Sequence, residues 1–184
     1  MKTNVRTVTN LGLLFALSVV LSLVEGLVPP LVPSVPGIKL GLANIVTMYC
    51  LFYAGWRSAC LVTLLKSGFV FLTRGFTAFL MSFAGGLCAV GIMLLLLSFK
   101  RLKPSYQMVS VCGAVFHNIG QLGAASLLLG TLVFGYLPVL LLAGIVMGLI
   151  TGTLLRIVLP ALKRFPDLQK RGKIIDILLF FVLI

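Results

Sequence analysis

Acidic residues are nearly missing from this chain: three Asp and Glu stand against 15 Lys and Arg in 184 residues. Charge of either sign is scarce, at 10% of residues, while 60% are hydrophobic. A soluble domain of this length needs a polar surface, and so few charged residues cannot supply one. One histidine and one glutamate, His117 and Glu25, do not make a metal-ligand set. No GxxxxGK[ST] phosphate loop occurs, so any use of ATP falls to a partner. CxxC pairs are missing too: Cys50, Cys60, Cys88 and Cys112 each lie inside an apolar segment and are expected to be small buried hydrophobes. No cleavable signal peptide is expected, because the first apolar run is too long for an h-region and lacks a well-placed small-x-small site.

What the chain has in quantity is long apolar sequence, with a mean hydropathy of +1.21. Several runs reach the roughly 20 residues that a helix needs to cross a hydrocarbon core of about 30 Å. Only helices and closed barrels satisfy their backbones in lipid, and continuous rather than alternating runs select helices. Six spans are expected, at about 8–28, 38–54, 58–73, 77–99, 107–130 and 137–160. The second and third are short and fit a bundle in which neighbours partly hide them. Pro and Gly punctuate most of the connections, such as "VPPLVPSVPG", "AGWRS" and "TRGF". The fold class is therefore an all-α membrane bundle. Residues 1–162 form the six-helix domain, and residues 163–184 form a basic tail that ends in a short apolar segment.

The basic residues follow the connections. With the N-terminus placed in the cytoplasm, the inner side collects eleven: Lys2, Arg6, Arg57, Lys100, Arg101, Lys103, Lys163, Arg164, Lys170, Arg171 and Lys173. The outer side holds two, Lys39 and Arg74. This bias places both termini in the cytoplasm of a multi-pass protein of a bacterial cytoplasmic membrane. It also accounts for the net charge of +12 without nucleic acid. The last eleven residues, "IIDILLFFVLI", rise about 16 Å as a helix, too little to span. They are expected to lie at the interface, pack on the bundle, or begin a seventh segment.

Small residues mark packing faces. Gly144, Gly148 and Gly152 repeat a GxxxG spacing, and Ser82, Gly85, Gly86 and Ala89 form a second small face. Both are expected to pack helices within the chain. Gly12 and Ala16 form a third small pair near the inner end of the first span, where a partner protein is a further candidate.

Polar groups inside apolar spans point to function, because hydrocarbon makes them costly. Glu25 closes the first span, Lys39 opens the second, and Asn44 lies deeper in it. Lys66 sits about eight residues from either end of the third span, and Arg74 lies at its outer end. Its ammonium would have to snorkel about 12 Å to reach an interface, more than its stem allows. His117 and Gln121 share a helix face, with Gly113 and Ala124 on the same stripe, and Asn118 is rotated about 100° away. Ordinary roles stand beside a functional one. Lys39 and Arg74 can be interfacial anchors, and Asn44, Asn118 and the His117–Gln121 pair can make interhelical hydrogen bonds. Glu25 can be the counter-ion of Lys39, Lys66 or Arg74. Together they converge on the outer half, with three or four candidate cations against one carboxylate. That suits an anionic or electron-rich ligand held between apolar walls.

The segments "PGIKLGLANIVTMY", "SFAGGLCAVGIM", "HNIGQLGAASLL" and "YLPVLLLAGIVMGLITG" resemble the Gx transporter family, catalogued as heptaprenyl diphosphate synthase component I, over roughly residues 8–160. That family looks related to the substrate-binding S components of energy-coupling-factor (ECF) vitamin transporters. The resemblance implies a six-helix subunit without enzymatic activity or cofactor. It would bind a vitamin or cofactor precursor, a flavin or an isoprenoid-like anion among the candidates, beneath a lid formed by residues 29–37. It implies docking of the first helix onto a transmembrane scaffold subunit driven by two ATPases. The usual docking pattern is AxxxA, where this chain has Gly12-xxx-Ala16. The synthase name implies an alternative, a non-catalytic accessory subunit of prenyl diphosphate or quinone synthesis. Mg²⁺-dependent prenyl transfer needs clustered aspartates, and Asp167 and Asp176 are nine residues apart in the tail. A stand-alone carrier is the third reading.

Overall fold

A computed structural model describes residues 5–27, 41–99, 104–129 and 133–164. The described residues are helical, with no strand among them. In chain order the helices are α1 (Val5–Leu27), α2 (Leu42–Tyr49), α3 (Trp56–Arg74), α4 (Phe76–Ser98), α5 (Tyr106–Leu129) and α6 (Leu137–Arg164). A π-helical turn, Cys50–Ala54, extends α2, and a 3₁₀ turn, Val133–Tyr136, precedes α6. Lys39, the 29–37 segment and the 174–184 tail lie outside the described residues.

Four helices, α1, α4, α5 and α6, are long and apolar enough to cross a membrane, so the chain is a membrane protein. The outward faces of the helices are apolar: Leu127 is 88% exposed, Leu72 80% and Leu142 66%. The inward faces hold buried polar groups, including Ser18, Thr63, Lys66, Ser67, Ser82 and Gln121. A molecule that is apolar outside and partly polar inside is built for lipid as solvent.

Two of the six expected spans differ from the simple pattern. α3 has 19 residues, but Arg57, Lys66 and Arg74 make it less apolar than the other four long helices. α2 starts at Leu42 rather than near residue 38, because Gly41 turns the backbone to a φ of 75°. Its eight residues and the five-residue π turn fall short of a full crossing. The physical reason is shielding. α2 packs against α1, α3 and α6, and six of its eight residues are buried. A helix enclosed by protein needs neither the length nor the lipid-facing surface of a span.

Around it the longer helices pack in sequence, α3 on α4, α4 on α5 and α5 on α6. A single residue, Gly75, joins α3 to α4. Its φ of 86° and ψ of −178° belong to a region open only to glycine, so the expected "TRGF" loop is one residue long. Phe71, Phe76 and Phe79 close around this turn, with ring centroids 5.9–6.4 Å apart.

Glycines set the closest helix contacts. A Cβ at Gly144, Gly148 or Gly152 would meet α5 at 2.5–3.0 Å, so the GxxxG stripe of α6 lies directly on α5. On α4, Gly86 meets the Thr63 side chain of α3, while Gly85 meets the His117 carbonyl and the Gln121 side chain of α5. Small residues let backbones approach where lipid offers no hydrophobic drive for association. Of the cysteines, Cys50 is buried and Cys60 and Cys112 are half-buried. Cys88 is exposed, so the expectation of burial fails there: it sits at the edge of the α4–α5 contact, beside Gly120.

Candidate functional site

α3 buries one face, formed by Ala59, Val62, Thr63, Lys66, Ser67 and Val70. These positions recur at steps of three and four, the period of one helical stripe. Lys66 sits within that stripe and is only 6% exposed. Thr63 and Ser67 turn their hydroxyls back onto the Ala59 and Thr63 carbonyls at 2.8 and 2.9 Å, which satisfies them within the helix. Lys66 has no such local acceptor. Its Nζ donates to Asn44 Oδ1 of α2 at 3.0 Å.

The N-terminus of α2 supplies the next part. Glu25, near the end of α1, accepts a hydrogen bond from the Ala43 N–H at 3.2 Å. A carboxylate there satisfies one of the otherwise unpaired N–H groups of the first turn and complements the positive end of the helix dipole. The Glu25 carboxylate also attracts the Lys66 ammonium electrostatically, but the hydrogen bond of Lys66 goes to Asn44. Replacing Glu25 by Ala is expected to lower stability by about 0.5–2 kcal/mol, with Gln in between, as read by thermal unfolding in detergent. An unchanged midpoint for Glu25→Ala would remove the capping role.

These groups line a cleft that encloses about 520 Å³, part of it open to the surroundings. It lies at the end of the bundle where α1 finishes and α2 begins. Glu25, Asn44, Lys66, His117, Asn118 and Gln121 are all on its wall. Asn118 also donates to the Leu140 carbonyl of α6 at 2.8 Å, so it ties α5 to α6 while facing the cleft. Gln121 is 5% exposed, and its amide makes no hydrogen bond to another described residue.

Arg74 does not line the cleft. It is exposed at the end of α3, and its guanidinium lies against Gly26 of α1. The expected surplus of cations is therefore smaller among the described residues, where the wall carries Lys66, His117 and one carboxylate. Sequence reading also passed over Ser22, Val70, Ala114 and Met147, which complete the wall. Ser22 lies three residues before Glu25 on α1, a helical neighbour that the spacing offers. Met147 and Ala114 are apolar residues in apolar runs and carry no such signal. Gly12 and Ala16 are exposed on α1, with open space around Gly12.

Fold and cleft together define a membrane-embedded helical bundle with a polar site inside it. The family model described as heptaprenyl diphosphate synthase component I matches residues 14–158, and the chain belongs to that family. No curated protein and no solved structure matches the chain. The described residues hold no group of three or more His, Cys, Asp or Glu placed to bind a metal ion. With three acidic residues in all, the chain lacks the clustered aspartates that hold Mg²⁺ against a diphosphate.

Proposed function

We propose that this chain is a non-catalytic, membrane-embedded substrate-binding subunit that works like the S component of an ECF-type importer. One observation carries the reading. Lys66 is buried in the bundle on the wall of an open polar cleft, and its single hydrogen-bond partner among the described residues is a neutral amide. An intramembrane cation left this way marks a ligand site by default. Glu25, Asn44, Lys66, His117, Asn118 and Gln121 form the site, and Lys39 is a further candidate by its place in the sequence. The ligand is a vitamin or cofactor precursor.

In this reading residues 1–162 cross a bacterial cytoplasmic membrane six times, α2 and α3 completing their crossings inside the bundle. Both termini are cytoplasmic, which the eleven-to-two distribution of basic residues supports. A transmembrane scaffold and two ATPases supply the energy. Gly12 and Ala16 present the docking face of α1. Gly12→Leu is expected to leave folding unchanged, because nothing lies within 4 Å of that Cβ position, while recovery of the scaffold falls at least tenfold. Equal recovery would exclude this face.

The family description favours a second reading, an accessory membrane subunit beside a soluble prenyl diphosphate synthase. Affinity purification from native membranes separates the two. Recovery with a scaffold and two ATPases is the expected result. Recovery with a soluble, Asp-rich synthase instead would overturn the importer reading.

A further inference from the structure

The cleft does not end at Lys66. A second cleft of about 330 Å³, part of it open to the surroundings, adjoins it and shares Gly41, Asn44, Ala114 and Met147 with the first. Its own wall is different in kind: Met48, Ala89, Met93 and Gly113, with Ser110 and Thr151 farther along. His117 and Ser110 are seven residues apart on α5, so this second chamber extends about 10 Å along the helix axis.

The two chambers treat polar groups in opposite ways. In the first, Lys66 has three N–H donors and one acceptor among the described residues, Asn44 Oδ1. The Gln121 amide is buried and makes no hydrogen bond to a described residue. The nearby carboxylate of Glu25 is engaged at the N-terminus of α2. In the second, the polar groups satisfy one another. Ser110 Oγ and Thr151 Oγ1 are 2.7 Å apart, and Thr151 Oγ1 also donates to the Met147 carbonyl at 2.9 Å. Apart from Asn44, which it shares with the first, what remains facing the second chamber is thioether, methyl and glycine. Methionine side chains are flexible and polarizable and adapt to an apolar guest. Ala89, Gly113 and Ala114 keep the passage free of bulk.

We propose that the site takes an amphiphile, with a compact anionic head at Lys66 and Gln121 and a slender apolar tail running along α5 toward Ser110. This rests on the reading of the cleft as a ligand site and names the class of its ligand. The head takes up the spare donors of Lys66 and the Gln121 amide. Beyond Asn44, the tail meets apolar side chains and hydroxyls that already bond one another.

The test uses the purified full chain in phosphatidylcholine nanodiscs. Equilibrium dialysis against n-alkyl monophosphates, from ethyl to octyl, reads binding against free aqueous concentration, with empty nanodiscs subtracted. Affinity is expected to rise about two- to fourfold per added methylene until the chamber is full. Octyltrimethylammonium, with the same tail and a cationic head, is expected to show no saturable binding. Ala114→Phe, which plugs the passage, should lose the gain with chain length. The wild-type series is decisive whether or not that variant folds. Equal affinity for ethyl and octyl phosphate would overturn the amphiphile and leave a ligand site for small anions. Equal binding of octyl phosphate and octyltrimethylammonium would overturn the anionic head. If no alkyl phosphate binds and no small molecule survives purification, the substrate-binding reading falls and the amphiphile falls with it.

Discussion

Lys66→Met is expected to abolish ligand retention while the protein stays folded. Lys66 is buried on the inner stripe of α3 and reaches Asn44 across the cleft. Truncating a buried, hydrogen-bonded charge that contacts a charged ligand costs about 2–5 kcal/mol of binding, at least ~30-fold in affinity. Stability should move in the other direction or not at all. Met has nearly the length of the Lys stem, and removing a buried cation relieves its desolvation. Against that, Asn44 Oδ1 loses its donor, a cost of about 1–3 kcal/mol where water cannot replace it. Asn44 is half-buried on the cleft wall, so water can take that place. Mass spectrometry of small molecules carried through purification, beside a thermal unfolding curve in detergent, reads both effects. A variant that keeps the wild-type ligand would remove Lys66 from the site. A variant that loses the ligand only because it unfolds would make Lys66 structural.

Gly148→Ala is expected to be among the most destabilising single-methyl changes in the chain, with Gly148→Leu worse. A Cβ there would lie 2.5 Å from Val111 Cα and 3.0 Å from Val111 N. Both neighbours are backbone, so no side chain can rotate aside and the two helices must separate. Overpacking of this kind costs about 1–3 kcal/mol, and more where the backbone has to shift. Separation would also loosen the Asn118–Leu140 and Ser110–Thr151 contacts that tie the same two helices. Gly12→Ala is the control. It has nothing within 4 Å, and Ala is the better helix former, so its midpoint should stay level or rise slightly. If Gly148→Ala and Gly12→Ala melt together, the close approach of α5 and α6 is not what holds the bundle.

Much of the site was legible one residue at a time. Lys66 stands out because an ammonium in the middle of an apolar run has no interface within reach. His117 and Gln121 stand out because they share a helix face. The small-residue stripe of α6 announces a close neighbour by its spacing alone. Arg74 shows the limit of such reading. It follows Lys66 by eight residues, about two turns, on nearly the same stripe. One residue before Gly75, however, α3 has already passed the cleft, and the guanidinium lies against α1 instead. Glu25 adds a further point. Its charge suggests a counter-ion for a lysine or arginine, and it does attract Lys66, but its hydrogen bond comes from the Ala43 backbone N–H. That second partner depends on where α2 begins, four residues later than hydropathy places it, because the turn falls at Gly41.

The sequence by itself determined the solvent and therefore the class of protein. Hydropathy and the scarcity of charge require a helical membrane bundle, and the three acidic residues offer no aspartate cluster of the kind that holds Mg²⁺ against a diphosphate. It also nominated the few polar residues that lipid would not tolerate. The tertiary structure decided which of them meet. Lys66 and Asn44 are 22 residues apart, and Ser110 and Thr151 are 41 apart. Their pairing depends on the rotation and depth of helices locked together by glycine contacts. The division of the cavity into a polar chamber and a thioether-lined one was decided there as well. Periodicity tells each helix which face to bury, but the partner of that face is set by steric fit between distant segments.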